Sequence, residues 1–279
     1  MSIQHSMEIK RGERFKFGEN WKQFLSTLNE SRIKEAENSL QQMLEIGDLS
    51  GKTFLDIGCG SGLFSLAARR LGAEVHSFDY DPQSVVCAQE LKRLYFPDDK
   101  SWIIEEGSAL DDHYLRSLGQ FDIVYSWGVL HHTGDMMAAL ENVKVPVKEN
   151  GFLFIAIYND QDFISTFWSI VKKAYSASSI GKCGIIALFF PLFVMQSLVA
   201  GLIKHGNPLG HIMYYKNKRG MSAYHDWIDW LGGYPFEVAK PEKIFSFYRN
   251  AGFRMTNLIT TNRLGCNQFV FQKVGKATA

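Results

Sequence analysis

The chain has 279 residues, 46% hydrophobic and 21% charged, with 30 Lys and Arg against 29 Asp and Glu. That length suits one large α/β domain with an insertion, or two small domains, and the composition is ordinary for a soluble globular chain. A net charge of +1 lacks the basic excess common in nucleic-acid binders, so no nucleic-acid partner is expected.

Cys59, Cys87, Cys183 and Cys266 are widely spaced and form no C-x-x-C pair. They offer neither a zinc site nor a disulfide framework, so no metal is expected and a reduced, cytoplasmic setting fits. The opening MSIQHSMEIKRGERFKFGEN (1–20) has no apolar core of the kind a secretory signal carries. Trp21, Phe24, Leu25 and Leu28 then recur at helical spacing, followed by Ile33, Ala36, Leu40, Met43 and Leu44, with charges between them. This predicts one or two amphipathic helices leading into the domain.

From Thr53 the rhythm becomes strand, loop, helix. A first strand ends at Ile57, and a helical pattern over 63–71 stops at Gly72. A second strand ends at Asp79. Asp81-Pro82 reads as an N-cap with proline at the first helical position, opening a helix to about Leu94. Strands are predicted over 102–105, 121–126 and 151–158, with a helix over 136–143. Strands alternating with helices imply a parallel sheet covered on both faces. The last two strand-like runs, 253–260 and 268–273, are joined by a short turn and must be antiparallel. Residues from about 160 to 240 are therefore an insertion.

The stretch FLDIGCGSGLF (54–64) raises the question of which nucleotide it holds. Its glycines at 58, 60 and 62 spell G-x-G-x-G, whereas the dinucleotide fingerprint needs a glycine at the position of Leu63. There is no G-K-S or G-K-T for a P-loop. What remains is a D-x-G-x-G-x-G loop from Asp56 to Gly62, with Asp79 seventeen residues further on.

Over about residues 52–158 this pattern resembles the class I S-adenosylmethionine-dependent methyltransferases. The resemblance implies a doubly wound, Rossmann-like α/β sheet of seven strands with an antiparallel final hairpin, and S-adenosyl-L-methionine as cofactor. It implies a helical segment (1–50) covering the cofactor site, a core formed by 51–159 and 241–279, and a helical cap for substrate over 160–240. Cofactor contacts are implied for Asp56, Gly58, Cys59, Gly60 and Gly62. They are implied also for Asp79, as acceptor of both ribose hydroxyls, and its neighbour Tyr80. At the adenine the implied residues are Ser108 and Ala109, after Gly107. Many relatives carry an aspartate where this chain has Ser108, so the adenine contact comes from Ser108 or passes to Asp111. Ser126 and Trp127 end the fourth strand, where ligands bind in open sheets. Relatives often fold an N-terminal segment over the cofactor, which brings in Arg14, Phe17 and Trp21. The stretch FDIVYSWGVLHHT (121–133) resembles the subgroup containing the ubiquinone- and menaquinone-pathway methylases, with Asp122 in a structural role.

Methyl transfer needs water excluded, the acceptor aligned and often a proton removed. His131 and His132 follow the fourth strand and are the candidate bases, since an imidazole suits a phenol or enol near neutral pH. Their alternative role is to cap or pack beneath the loop. Tyr158 and Asn159 share that rim. Here IYND departs from the [DN]-P-P-[YFW] signature of many amino-methyltransferases, which favours oxygen as the methylated atom. In the insertion, Tyr215, Arg219, Tyr224 and His225, and in the final turn Asn267, are candidate substrate contacts; a satellite core or a turn explains them too. The expected function is O-methylation of a small apolar or aromatic, lipid- or quinone-like acceptor. The alternatives are an RNA, protein or peptide methyltransferase, and a non-catalytic cofactor binder or membrane-associated protein.

Residues 183–203 (CGIIALFFPLFVMQSLVAGLI) run uncharged between Lys182 and Lys204 and are long enough to cross a bilayer. A single crossing would leave strands of one sheet on opposite sides of the membrane. Two readings remain: a buried helical hairpin broken near Pro191, or an apolar lid that makes peripheral membrane contact or cups a lipid tail.

Overall fold

The computed structural model describes residues 2–18, 28–209 and 223–274, with the backbone alone at 2, 223–226 and 229. Trp21, Tyr215 and Arg219 lie outside the described residues, and Tyr224 and His225 fall where no side chain is described.

A first helix, α1 (Ser2–Lys10), precedes α2 (Glu30–Leu44), whose N-cap Asn29 accepts a hydrogen bond from the Arg32 N–H. The alternating core follows: β1 (Thr53–Ile57), α3 (Leu63–Arg70), β2 (Glu74–Asp79), α4 (Pro82–Tyr95), β3 (Trp102–Glu106), α5 (Asp112–Ser117), β4 (Phe121–Trp127), α6 (Met136–Asn142) and β5 (Val147–Tyr158). Next come α7 (Phe163–Ala177), α8 (Ser179–His205) and α9 (Ala223–Gly232), and the chain closes with α10 (Pro241–Asn250), β6 (Phe253–Ile259) and β7 (Cys266–Lys273). The sheet has seven strands in the order β3-β2-β1-β4-β5-β7-β6, with β7 antiparallel to both neighbours. This is the doubly wound sheet with an antiparallel hairpin that the sequence predicts.

Strand alternation explains why both faces are covered. Successive residues Phe54 and Leu55, Ile123 and Val124, and Phe154 and Ile155 enter opposite cores. One core packs under α2 and α3 through Ile33, Leu40 and Leu66; the other packs under α6 and α10 through Leu140, Ile244 and Tyr248. Of these twelve side chains, eleven are fully shielded from solvent and Ile244 is 1% exposed. Asp122 accepts bonds from the Thr53 N–H and hydroxyl and from Lys148, which ties β4 to the start of β1.

Three features differ from the sequence expectation. Strand β5 starts at Val147 instead of 151, because its first turn of polar residues, Lys148 to Asn150, hides it, and Asn150 takes φ 62°. Helix α5 has six residues, too few to show a period, and is visible only through its cap, Asp111. Residues 183–203 form neither a buried nor a broken hairpin: α8 runs unbroken for 27 residues through Pro191, and 11% of its most apolar window is buried. Pro191 and Ala187, whose carbonyl loses its N–H partner to the proline ring, are both exposed, so that carbonyl stays open to solvent.

Candidate active site

The carboxyl ends of β1, β2 and β4 surround one cavity of about 430 Å³. Its floor is the glycine loop. Gly58, Gly60 and Gly62 all take positive φ (75°, 54° and 81°), where a side chain is strained. A Cβ on Gly58 would also lie 2.4 Å from Val129 across the cavity mouth. The N–H groups of Gly58 and Cys59 both donate to the Phe78 carbonyl, which locks the loop onto β2.

Asp79 is held from both sides. One carboxylate oxygen accepts from the Gly60 N–H and the other from the Asp81 N–H, each at 2.8 Å. Burial pushes its carboxyl up to about 6, against the pull of those two N–H groups. Asp56 is also buried; its carboxylate accepts from Ser65, which bonds Ser77, which in turn takes the Trp102 indole N–H. Burial pushes Asp56 up to about 7. The Tyr125 hydroxyl, on the same wall, is buried without a hydrogen-bond partner among the described residues.

The N-terminal segment closes this cavity. Arg14 is its clamp: Nε donates to Glu8, Nη1 to the His132 carbonyl and Nη2 to the Thr133 carbonyl, while its guanidinium lies 4.7 Å from the centre of the Tyr80 ring. The Tyr80 hydroxyl donates to Glu8, and the Gly18 N–H donates to Asp81. Burial would raise the Glu8 carboxyl, but hydrogen bonds from Arg14, Tyr80 and Gln4 hold it below its ordinary value. This clamp is therefore complete above the ordinary Glu range and is lost as pH falls through the depressed value.

Phe17, Trp127, Val129 and His132 line the same cavity. His132 Nδ1 lies 2.5 Å from the Pro235 carbonyl, an acceptor, so Nδ1 carries the hydrogen and Nε2 is left as the acceptor of this ring. Burial, with Lys172 and Arg14 nearby, pushes its pKa down to about 3 although the Pro235 bond opposes this. His132 is therefore neutral, and it is a far weaker base than an unperturbed imidazole, which corrects the expectation of a base poised near neutral pH. His131 lies behind it, fully buried, and accepts from the Tyr158 N–H through Nδ1. Its Nε2 has no partner among the described residues, and burial holds it well below the usual imidazole range.

The cavity gathers Asp56, Gly58, Cys59, Gly60, Asp79, Tyr80, Ser108, Ala109, Trp127 and His132 from the sequence-derived candidates. Arg14 and Phe17 line it too, while the other described candidates do not. Gly62 caps α3, and Ser126 sits fully buried behind the wall, donating to the Ile57 carbonyl. Asp111 is committed to capping α5, which leaves Ser108 as the polar group at that point. Tyr158 packs edge-on or tilted against His131, His132, Trp230 and Phe236 and forms the backing of the histidines. Asn159 and Asn267 bond each other and the 261 backbone, so both organise the final turn.

Sequence reasoning missed His5, Phe15 and Tyr125 on the cavity wall, and Pro235 behind His132. His5 stands alone in a polar helix and gives no signal. Tyr125 lies inside an apolar strand pattern that already explains it as core.

The residues present suit S-adenosylmethionine. Gly58 and Gly60 line the cavity with no side chain to hold a ligand off their backbone, and Asp79 has lone pairs left for a diol. Two buried carboxylates favour a ligand with cationic groups, and the Tyr125 hydroxyl is a polar atom in need of a partner.

Comparison with known proteins agrees. Residues 55–153 match the family model of a methyltransferase domain. The ubiquinone biosynthesis O-methyltransferase of Paraburkholderia xenovorans (strain LB400) is 29% identical over 134 residues, covering 48% of this chain and 56% of that protein. The enzyme of the same name from Xanthomonas oryzae pv. oryzae (strain PXO99A) is 32% identical over 112 residues, covering 40% of this chain and 45% of the relative. The chain thus spans about half the length of the curated relatives it matches. Among solved structures, magnesium protoporphyrin IX methyltransferase from Synechocystis PCC 6803 with bound SAH aligns with TM-score 0.51 at 15% identity, covering 86% of this chain and 83% of that one. An O-methyltransferase family protein from Burkholderia thailandensis aligns with TM-score 0.50 at 13% identity, over 88% of this chain and 59% of that one. At such identities the likeness is one of fold.

Proposed function

Since the chain carries a class I S-adenosylmethionine-dependent methyltransferase domain, we propose that it methylates a hydroxyl oxygen on a small apolar or aromatic acceptor. The observation that carries this reading is the group of apolar side chains lining the cavity with His132. There His132, with Nδ1 fixed by Pro235, offers one neutral nitrogen acceptor among Phe17, Trp127 and Val129. A ring or chain bearing a single hydroxyl fits such a wall better than a charged or amine-rich group does. The names of the curated relatives support oxygen as the methylated atom.

When bound, S-adenosylmethionine supplies an electrophilic methyl group. The glycine loop, Asp56, Asp79, Tyr125, Ser108 and Ala109 hold it, and the Arg14 clamp excludes water. His132 Nε2 accepts the hydrogen of the acceptor hydroxyl and so orients the oxygen. As that oxygen gains carbon its proton becomes far more acidic than in the free alcohol or phenol. A nitrogen with a pKa of about 3 is then base enough to take it, and it gives the proton up to solvent once the product has left and the site is open.

The test is turnover of methyl-labelled cofactor with a panel of alkylated phenols and catechols. His132→Gln should lower kcat about a hundredfold, the low end of acid–base contributions, with cofactor affinity within about twofold. An unchanged kcat removes His132 from the reaction.

A further inference from the structure

The insertion turns a large apolar surface outward. On α7, Phe163, Phe167 and Ile170 are exposed at i, i+4 and i+7. On α8, exposed Leu188, Leu192, Met195, Val199 and Leu202 follow in alternating steps of four and three, which is one continuous stripe. The opposite side of the hairpin is occupied: Phe189 of α8 packs with Trp168, Val171 and Tyr175 of α7 and Leu231 of α9. Trp168 and Trp230 meet edge to face at 5.3 Å. Because α7 and α9 pack together, α8 cannot pass through a bilayer between them. It can only lie along a surface.

Charge decides what that surface is. Residues 163–225 contain no Asp or Glu and seven Lys or Arg, so this segment carries +7 while the whole chain carries +1. The remainder is acidic by 6. Of the seven basic residues, Lys172 is buried and Lys216, Lys218 and Arg219 lie outside the described residues, while Lys173 on α7 and Lys182 and Lys204 at the two ends of α8 are exposed. Two copies meeting through this face would set two basic segments against each other. An anionic lipid surface would receive both the apolar stripe and the charge.

We propose that the α7–α8 face docks on an anionic bilayer, with α8 lying in the interface plane and its flanking lysines at the headgroups. This surface is independent of which acceptor is methylated, and its test does not use turnover.

The experiment is sedimentation of the full chain with vesicles of phosphatidylcholine alone, or of two parts phosphatidylcholine to one part phosphatidylglycerol. Partitioning should favour the anionic vesicles by at least about tenfold at low salt, and molar salt should erase most of that preference. The double variant Leu192→Glu/Val199→Glu should lower partitioning roughly hundredfold, two apolar side chains at about tenfold each, while binding S-adenosylmethionine as the parent does. If that variant fails to bind cofactor, Lys182→Glu/Lys204→Glu replaces it, with loss of the anionic preference as the expected result. No binding to either vesicle, or equal binding to both, overturns the proposal. So does a dimer in analytical ultracentrifugation that the Leu192→Glu/Val199→Glu variant converts to monomer.

Discussion

At the carboxyl ends of β1 and β2, Asp79 takes N–H groups from Gly60 and Asp81, Asp56 holds Ser65, and Gly58 leaves no room for a methyl group beside Val129. In α8, by contrast, a 27-residue helix leaves Leu188, Met195 and Leu202 more than half exposed. The first region is preorganised: its polar atoms are fixed before any ligand arrives, so little ordering remains to oppose binding. The second is under-packed for a free monomer, since large exposed apolar patches mark interaction surfaces. The methyl-donor site and the surface proposed to place the molecule on a membrane thus lie in separate parts of one chain.

The largest expected effect falls on the preorganised side. Asp79→Ala removes a charged acceptor worth about 1.5–3 kcal/mol per hydrogen bond, so cofactor affinity should fall at least about hundredfold in calorimetry. The α8 variants should leave it unmoved; equal losses in both would collapse the distinction between the two regions. The same group sets a pH dependence. Burial raises Asp79 to about 6, so protonation stabilises the free protein as pH falls from there toward the ordinary value of about 4. Cofactor binding runs the other way: affinity should weaken as pH falls through about 6, and Asp79→Asn should flatten that limb. A smaller effect is expected at the clamp. Arg14→Met keeps the stem but loses hydrogen bonds to Glu8 and to the carbonyls of His132 and Thr133. Cofactor affinity should drop about tenfold, the order of one or two net hydrogen bonds, with faster proteolysis of the N-terminal segment.

How much of this was legible in the sequence follows from how local each determinant is. The glycine spacing and Asp79 are read at short range, because a tight turn and a strand end need particular residues at particular offsets. The seven strands were legible through their apolar runs, except where Lys148 to Asn150 masked the start of β5. The protonation state of His132 was not legible, since it is set by Pro235, 103 residues away, and by burial under the insertion. Of the two readings of 183–203, the broken hairpin fails because proline is a strong local breaker only where its lost bond has no solvent, and the fold puts that bond on an open face. Polar residues near a rim look available, so the sequence leaves Asn267 open between a substrate contact and a turn and offers Asn159 as a rim contact; in the fold the two bond each other and the final turn.

The central claim is that this cavity passes a methyl group to a hydroxyl on an apolar acceptor. The most direct measurement incubates the protein and methyl-labelled S-adenosylmethionine with extract of its own host, and follows where the label goes. The account predicts label in the organic-extractable fraction as a methyl ether, and its loss with Asp79→Ala. Label confined to RNA or protein, or found on nitrogen, would contradict it.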